Sequence, residues 1–586
     1  MSPNKSNIKK EPEGSAGSFR SFLYLLRHGK LAWWLIILGE AVSLGAGSVA
    51  LQFTNRMSDL VAGDFSMPTL YRFIWMTALY AVFTGLSNVM MTVAQTKSVQ
   101  RLRTVLWDRM MHMKLSSKAA KKASEMVSAI NADATLSMQY IIMSLIGIPA
   151  AVYFVVMAAV QAAQMSTRFL IPIFCLVPVY ILYALFVGRW NQRTNHTVRV
   201  RIGGLTGFLS ERLRSLDLLK AYGAEEEEKR RGAETAEKLY KENVRLRVIN
   251  TVTTVYILLF DSVSVVMAIL FGSSMIRTGT LRPTEWANFF LLLPMVNNML
   301  RSASGMWVNV CGGVGFTSRI AELLKTPEEA GGTKEAPDCG TLLAEHVSFS
   351  YDGKEVLYDI SLSIPEGKTT AIVGRSGSGK TTILNLLEGF YQPDSGRILY
   401  AGTDISEYSL SSYRRRIAYV QQDSGMFSGT IREALLYGID RQVSDEEIIG
   451  ALEKVQVYED IAAFPGGLDA RVAIWGGSLS GGQKQKLVIA REILRGTGTI
   501  LLDEPTASLD ISARKAVFFA VREAFRGKTL VTVTHELQMI RDADVIIMVN
   551  QGRVLAQGSH EELMEHCSAY RELVLECAYE EEVEGR

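Results

Sequence analysis

The stretch Gly374-Arg375-Ser376-Gly377-Ser378-Gly379-Lys380-Thr381-Thr382 follows the apolar run Thr370-Ala371-Ile372-Val373 and precedes Ile383-Leu384-Asn385-Leu386-Leu387. A strand, a glycine loop and a helix in that order read as a P-loop, in which backbone N–H groups cradle phosphates at a helix N-terminus. Lys380 is then placed to reach the β- and γ-phosphates, and the Thr381 hydroxyl to coordinate Mg²⁺. The loop predicts a nucleoside triphosphate and leaves open what its hydrolysis drives. A second buried run, Thr499-Ile500-Leu501-Leu502, ends in Asp503-Glu504. A carboxylate at the C-terminal edge of a parallel strand beside a P-loop is where a Mg²⁺ shell is needed, which falls to Asp503. The adjacent Glu504 is placed to polarise an attacking water as general base.

At 586 residues the chain has room for several domains. A net charge of +2 with no concentrated basic arm argues against nucleic acid as a partner. A hydrophobic fraction of 48% directs attention to membrane spans. The five cysteines (Cys175, Cys311, Cys339, Cys567, Cys577) show no CxxC pair or metal-ligand spacing and read as reduced packing residues. Residues 1–18 are polar and read as a flexible cytosolic tail. The first apolar stretch is long enough to span and lacks a cleavage site, so no cleavable signal peptide is expected.

Apolar stretches at residues 31–53, 70–94, 138–163, 169–188, 248–275 and 286–310 each approach the ~20 residues a bilayer core requires. The connections at 54–69, 164–168 and 277–285 are short and poor in cations. Those at 95–137 and 189–247 are long and rich in them, with Lys97, Arg101, Arg103 and Arg109 in the first and Arg189, Arg193, Arg199 and Arg201 in the second. Loop cations near span ends mark the cytosolic side, which places both termini there. Val105, Leu106, Met110 and Met113, and Leu205, Phe208, Leu209, Leu213 and Leu216, keep helical spacing, so the spans are predicted to continue into the cytosol as helices. A reversal is expected in each long connection, near residues 116–124 and 218–225.

Ionisable groups at bilayer depth cost several kcal/mol unless paired, solvated or neutralised. Glu40, Asp261 and Arg301 lie at such depth. Two readings stand side by side: they line a cavity for a polar or charged substrate, or they pair and lock the bundle. The many methionines of the spans, Met295 and Met299 among them, suit an adaptable binding surface and ordinary packing alike.

From Thr326 to Gly340 the sequence turns to Pro, Gly, Glu and Lys, a linker composition, and a soluble α/β pattern then runs to Cys577. The acidic residues of 578–586 read as a disordered tail. Within the α/β part, Leu479-Ser480-Gly481-Gly482-Gln483 resembles the signature motif of the ATP-binding cassette (ABC) family. Together with the P-loop, Gln422 in Tyr419-Val420-Gln421-Gln422-Asp423, Ser508-Leu509-Asp510 and His535 in Thr532-Val533-Thr534-His535, the resemblance is specific and covers residues 19–577. Six spans followed by one cassette resemble an exporter-type half-transporter, the group of lipid flippases, multidrug pumps and peptide exporters.

The resemblance implies ATP and Mg²⁺ as ligands. Tyr351 matches the aromatic residue that stacks on adenine. Gln422 matches the residue that touches Mg²⁺ and the attacking water, and Asp510 falls in the D-loop. His535 matches the switch histidine that contacts the γ-phosphate and orients Glu504. Residues Leu479 to Gln483 match a motif that completes the ATP site of the opposite cassette, so a second half-transporter is implied, as homodimer or heterodimer. Glu125 and Asp133 resemble the first cytosolic coupling connection and Lys220 to Glu225 the second. Where the family carries Gly-Glu ahead of the signature, this chain reads Val472-Ala473-Ile474-Trp475-Gly476-Gly477-Ser478, a departure that leans towards a heterodimer.

The expectation is therefore an α-helical six-span transmembrane domain (19–325), a linker (326–340), an α/β P-loop NTPase cassette (341–577) and an acidic tail. The implied activity is ATP-driven export of a peptide, amphipathic drug or lipid by a multi-pass protein of the bacterial inner membrane, in contact with membrane lipids, its cassette cytosolic. An ATP-gated channel or regulatory subunit, and an importer built on the exporter fold, are the rival readings.

Overall fold

The computed structural model describes residues 15–61, 66–116, 123–165, 167–279, 282–421, 425–472, 479–505 and 511–584. The chain divides into two compact units, one of residues 1–113 and 118–326 and the other of residues 114–117 and 327–586.

The first unit is helical. After the helix Ser15–His28, the expected apolar stretches lie in six long helices: Trp33–Val61, Met67–Met111, Ala134–Met165, Leu170–Arg214, Glu225–Arg277 and Pro283–Lys325. By length and composition, Trp33–Gln52, Met67–Met111, Met126–Gln164 and Glu225–Arg277 are apolar enough to cross a membrane; Ile173–Val187 is a shorter apolar run. At 1.5 Å per residue the helix Glu225–Arg277 is about 80 Å long, against about 30 Å of bilayer core. Its polar half therefore extends beyond the bilayer, as the apolar spacing predicted.

That polar half is helical for a local reason. Glu225, Glu226, Glu227 and Glu228 occupy its first turn, where negative charge meets the positive end of the helix dipole. Arg230 then pairs with Glu227 (2.9 Å) and Glu234 (3.0 Å), and Arg231 with Glu228 (2.8 Å), at three- and four-residue spacings. The expected reversal ahead of it is the short helix Leu216–Ala221 followed by Gly223 at φ 58°. The other reversal falls largely on residues 117–122, outside the described residues.

Large apolar side chains such as Trp75, Phe186 and Leu259 are exposed along these helices, a surface that lipid covers and water would not. Inside the bundle, Phe169 and Phe289 stack at 4.2 Å. Gly272 is needed where the Trp286 indole crosses its backbone, since a Cβ there would collide with the ring.

Among its described residues the second unit holds two larger sheets and a two-stranded pairing of Gly429–Thr430 with Arg471–Val472. One is antiparallel, with strand order Lys354–Ile364, Leu342–Tyr351, Ser395–Tyr400, Thr403–Asp404. The other runs Arg553–Gly558, Val545–Asn550, Thr369–Val373, Thr529–Val533, Thr499–Asp503, Ile417–Val420. All but the first of these strands are parallel. The strands Thr499–Asp503 and Thr529–Val533 are buried throughout, which explains their unbroken apolar and β-branched runs. One hydrophobic cluster joins the antiparallel sheet to the helix Lys380–Leu387; a second joins Ile431–Leu435, Asp445–Lys454 and Gly481–Arg495.

Two expectations change. The linker is tied down: Arg414 holds Glu329 through two bonds (2.7 and 3.1 Å), and the Ala336 N–H donates to the Ser412 hydroxyl (2.9 Å). The acidic tail is not disordered to its end, because the helix Ser568–Glu584 runs through it. Tyr570, Leu573, Val574 and Cys577 lie on one face of that helix and are buried, which anchors the turns that follow.

Candidate active site

The P-loop leaves the buried strand Thr369–Val373 and enters the helix Lys380–Leu387. Its backbone is possible only with glycine: Gly374, Gly377 and Gly379 have φ of 151°, 74° and 106°. A Cβ on Gly374 would strike the Val549 carbonyl. Lys380 is buried, and its Nζ donates to the carbonyls of Gly374 (2.7 Å) and Arg375 (3.2 Å). Burial pulls its amine below the usual lysine range, opposed by Glu504 and Asp503. Among the described residues the buried Ser378 hydroxyl has no hydrogen-bond partner. A loop holding a desolvated cation and an orphaned hydroxyl fits an anionic ligand. Thr382 is buried in the same turn, whereas exposed Arg375 reaches Glu576 (3.0 Å) on the C-terminal helix.

Asp503 ends its strand, and its Oδ1 accepts from the Thr381 hydroxyl at 3.3 Å. Burial pushes its carboxyl up, Glu504 adds to this, and Thr381, Tyr419 and Lys380 oppose it. A threonine hydroxyl and a buried carboxylate in contact are the hard oxygen donors that Mg²⁺ takes. Sequence reasoning missed Tyr419, whose hydroxyl lies 3.5 Å from Asp503 Oδ2 and 3.3 Å from Asn385 Oδ1. It stands in the stretch quoted for Gln422 but was given no role there, since only the pairing of Ile417–Val420 with Thr499–Asp503 brings its hydroxyl to the carboxylate.

Glu504 follows at φ 47°, a left-handed conformation that costs a side chain about 1–3 kcal/mol and persists only where surroundings enforce it. Here its N–H donates to the Val533 carbonyl (3.0 Å), and Gln485 Nε2 reaches its own carbonyl (3.4 Å). His535 Nε2 lies 3.5 Å from Glu504 Oε1. Tyr351 packs edge-on against Tyr391 (5.2 Å) and Phe349 (4.8 Å) and remains partly exposed.

The signature is a helix cap. Ser480 Oγ accepts from the Gln483 N–H (3.2 Å) and Gln483 Oε1 accepts from the Ser480 N–H (3.0 Å), a capping box on the helix Gly481–Arg495. Leu479 is buried beneath it, while Ser480 and Gly481 are exposed. The serine hydroxyl accepts in this cap, so its own proton is free to be donated outward.

These features match known families. The family described as ABC transporter transmembrane region matches residues 32–299, and that described as ABC transporter matches residues 357–507. The chain belongs to the ABC transporters. A multidrug resistance ABC transporter ATP-binding and permease protein of Lactococcus lactis subsp. lactis is 29% identical over 95% of this chain and 96% of its own. An ATP-dependent lipid A-core flippase of Photobacterium profundum is 28% identical over 92% of each. The structure of a bacterial Atm1-family ABC exporter with ATP bound shares the fold, with a TM-score of 0.81 over 96% of this chain and 99% of that one at 24% identity. This ABC transporter is thus an integral membrane protein with the exporter fold, an ATPase coupled to transport.

Gln422, Asp510, Ile474 and Trp475 lie outside the described residues, as does the Glu125 side chain. Asp133 closes a π-turn, Ala129–Asp133, and pairs with Arg319 (3.3 Å). Asp261 and Arg301 come together: Tyr180 donates to Asp261 Oδ1 (2.9 Å), and Arg301 Nη1 lies 3.7 Å from Asp261 Oδ2. The pairing reading thus describes these two. Glu40 takes no part in this network.

Proposed function

We propose that this ABC transporter works as one half of a dimeric exporter in the bacterial inner membrane, its cassette and both termini cytosolic. Its substrate is an amphipathic molecule of the drug, lipid or peptide class. The relatives named as a multidrug transporter and a lipid A-core flippase support that class. In the ATP site, the P-loop amides and Lys380 hold the phosphates, and Thr381 and Asp503, with Gln422, hold Mg²⁺, which supplies charge neutralisation. Glu504 accepts the proton of the attacking water, and His535 orients that carboxylate. Tyr351 offers its ring to adenine.

One observation carries the dimer: the signature cap is exposed, and Leu479 packs in a different hydrophobic cluster from the helix that follows the P-loop. The exposed Ser480 hydroxyl and the N-terminus of its helix are then available to a phosphate on a second cassette.

Mixing tests this. Lys380→Ala disables the P-loop, and Ser480→Asp keeps the cap but sets a negative charge against phosphate. In a homodimer each variant alone is inactive, while a mixture of the two recovers ATPase activity through the one composite site left intact. No recovery on mixing, with a wild-type chain active alone, would overturn the shared-site reading. Activity only with a different half-transporter would show a heterodimer. Direction is read from ATP-dependent accumulation in inside-out vesicles; ion current without accumulation would overturn export.

A further inference from the structure

Of Glu40, Asp261 and Arg301, Glu40 is the one left outside the Asp261–Arg301 pair. Both of its carboxylate oxygens are buried, and among the described residues neither has a hydrogen-bond partner. A group of this kind is costly, and its retention calls for a partner outside the chain.

A cavity of roughly 240 Å³ begins one turn away. Ser43, Leu44 and Gly47 line it, three, four and seven residues from Glu40 and so on the same helix face. The facing helix fixes the level. Ser87 Oγ donates to the Gly39 carbonyl (3.1 Å), so Thr84, one turn along, stands opposite Ser43, and Tyr80 opposite Gly47. Thr84 lines the cavity, and its buried hydroxyl likewise has no hydrogen-bond partner among the described residues. Tyr153 and Phe154 add aromatic surface, and Met295 and Met299 deformable thioethers. At the other end, Asn298 accepts from Arg301 (2.7 Å), whose charge Asp261 already balances. The unbalanced charge is therefore negative and sits at the Glu40 end.

We infer that this cavity is a substrate site for an amphipathic cation, with Glu40, one turn outside its lining, as the counter-charge to an ammonium group at that end, Thr84 on the wall, and the aromatic and methionine side chains around the apolar body. Aromatic rings attract cations as well as apolar groups, which suits the same ligand twice. The inference rests on the transporter reading and names the substrate class that reading leaves open.

The test uses the purified full-length protein in nanodiscs without ATP, so that it is independent of turnover and of transport direction. The probes are 4-phenylbutyltrimethylammonium and 4-phenylbutanesulfonate, which share one apolar body and carry permanent opposite charges. Wild-type protein should bind the ammonium at least ~10-fold more tightly than the sulfonate, and Glu40→Gln should remove most of that preference. The ratio of two dissociation constants on one preparation does not depend on the fraction folded. Glu40→Asp should restore part of the preference, and Thr84→Val should weaken ammonium binding less than Glu40→Gln does. Equal affinity of the wild type for the two ions, or a Glu40→Gln variant with an unchanged ratio, would overturn the inference while leaving the vesicle result untouched.

Discussion

Glu504 and His535 face each other across 3.5 Å from the ends of two neighbouring strands that pair in parallel, Thr499–Asp503 and Thr529–Val533. Neither geometry is independent: the Glu504 N–H is bound to the Val533 carbonyl, so the strand that delivers the histidine also holds the carboxylate in its left-handed conformation. Replacing Glu504 with Gln should leave ATP binding intact and slow hydrolysis by the ~10²–10⁴-fold that a general base contributes. His535→Ala should slow it less, since orientation rather than proton acceptance is lost. Near-normal turnover by the glutamine variant in single-turnover assays would assign the base elsewhere.

Lys380 links stability to binding. Its amine is desolvated and answered mainly by two carbonyls, so Lys380→Met should raise the melting temperature of the nucleotide-free protein slightly. The same change should abolish the thermal shift produced by ATP. A variant that melts lower than wild type and still shifts with ATP would contradict both halves.

A pH dependence follows from Glu388. This carboxyl ends the P-loop helix, is fully buried, and is pushed by burial from about 4.5 up to about 8, with Arg495 and Arg414 opposing and Glu492 adding. Between those values the folded chain keeps a proton that the unfolded chain has released, so stability falls as pH rises. The contribution is fully present below about 4.5 and lost as pH rises through about 8. Glu388→Gln stays neutral. Its melting temperature should therefore gain on wild type from pH 5 to 8 and hold a constant lead above. A gap independent of pH would place the proton elsewhere.

Asp261 and Arg301 should behave as one unit. Removing either partner strands the other charge among helices, at an expected cost of about 3–5 kcal/mol in a fully buried setting, less here because Arg301 is half exposed. The double variant Asp261→Asn/Arg301→Gln should be more stable than the sum of the single changes. Additive losses in a double-mutant cycle would show that the pair does not interact.

Much of the site was legible in the sequence, because its parts are local. A glycine at φ 106°, a lysine one residue on and a threonine after it build a phosphate cradle from adjacent backbone, and Ser480 with Gln483 builds a cap from four consecutive residues. The role of Tyr419, quoted only as a neighbour of Gln422, was not legible because its contact with Asp503 spans two strands far apart in the chain. The side chain of Arg375, in the loop read as the ATP cradle, pairs with Glu576 on the last helix, 201 positions away, a contact that no local pattern marks.

The sequence by itself determined the six long helices, the P-loop and the carboxylate at the end of its neighbouring strand. Hydrophobic periodicity and glycine conformation act over a few residues, and so are written in order along the chain. Only the tertiary structure decided that Asp261 is answered by Arg301 while Glu40 is left without a partner beside a cavity. All three are charges in apolar helices, and what separates them is which helix faces which, a matter of packing between segments far apart in the chain.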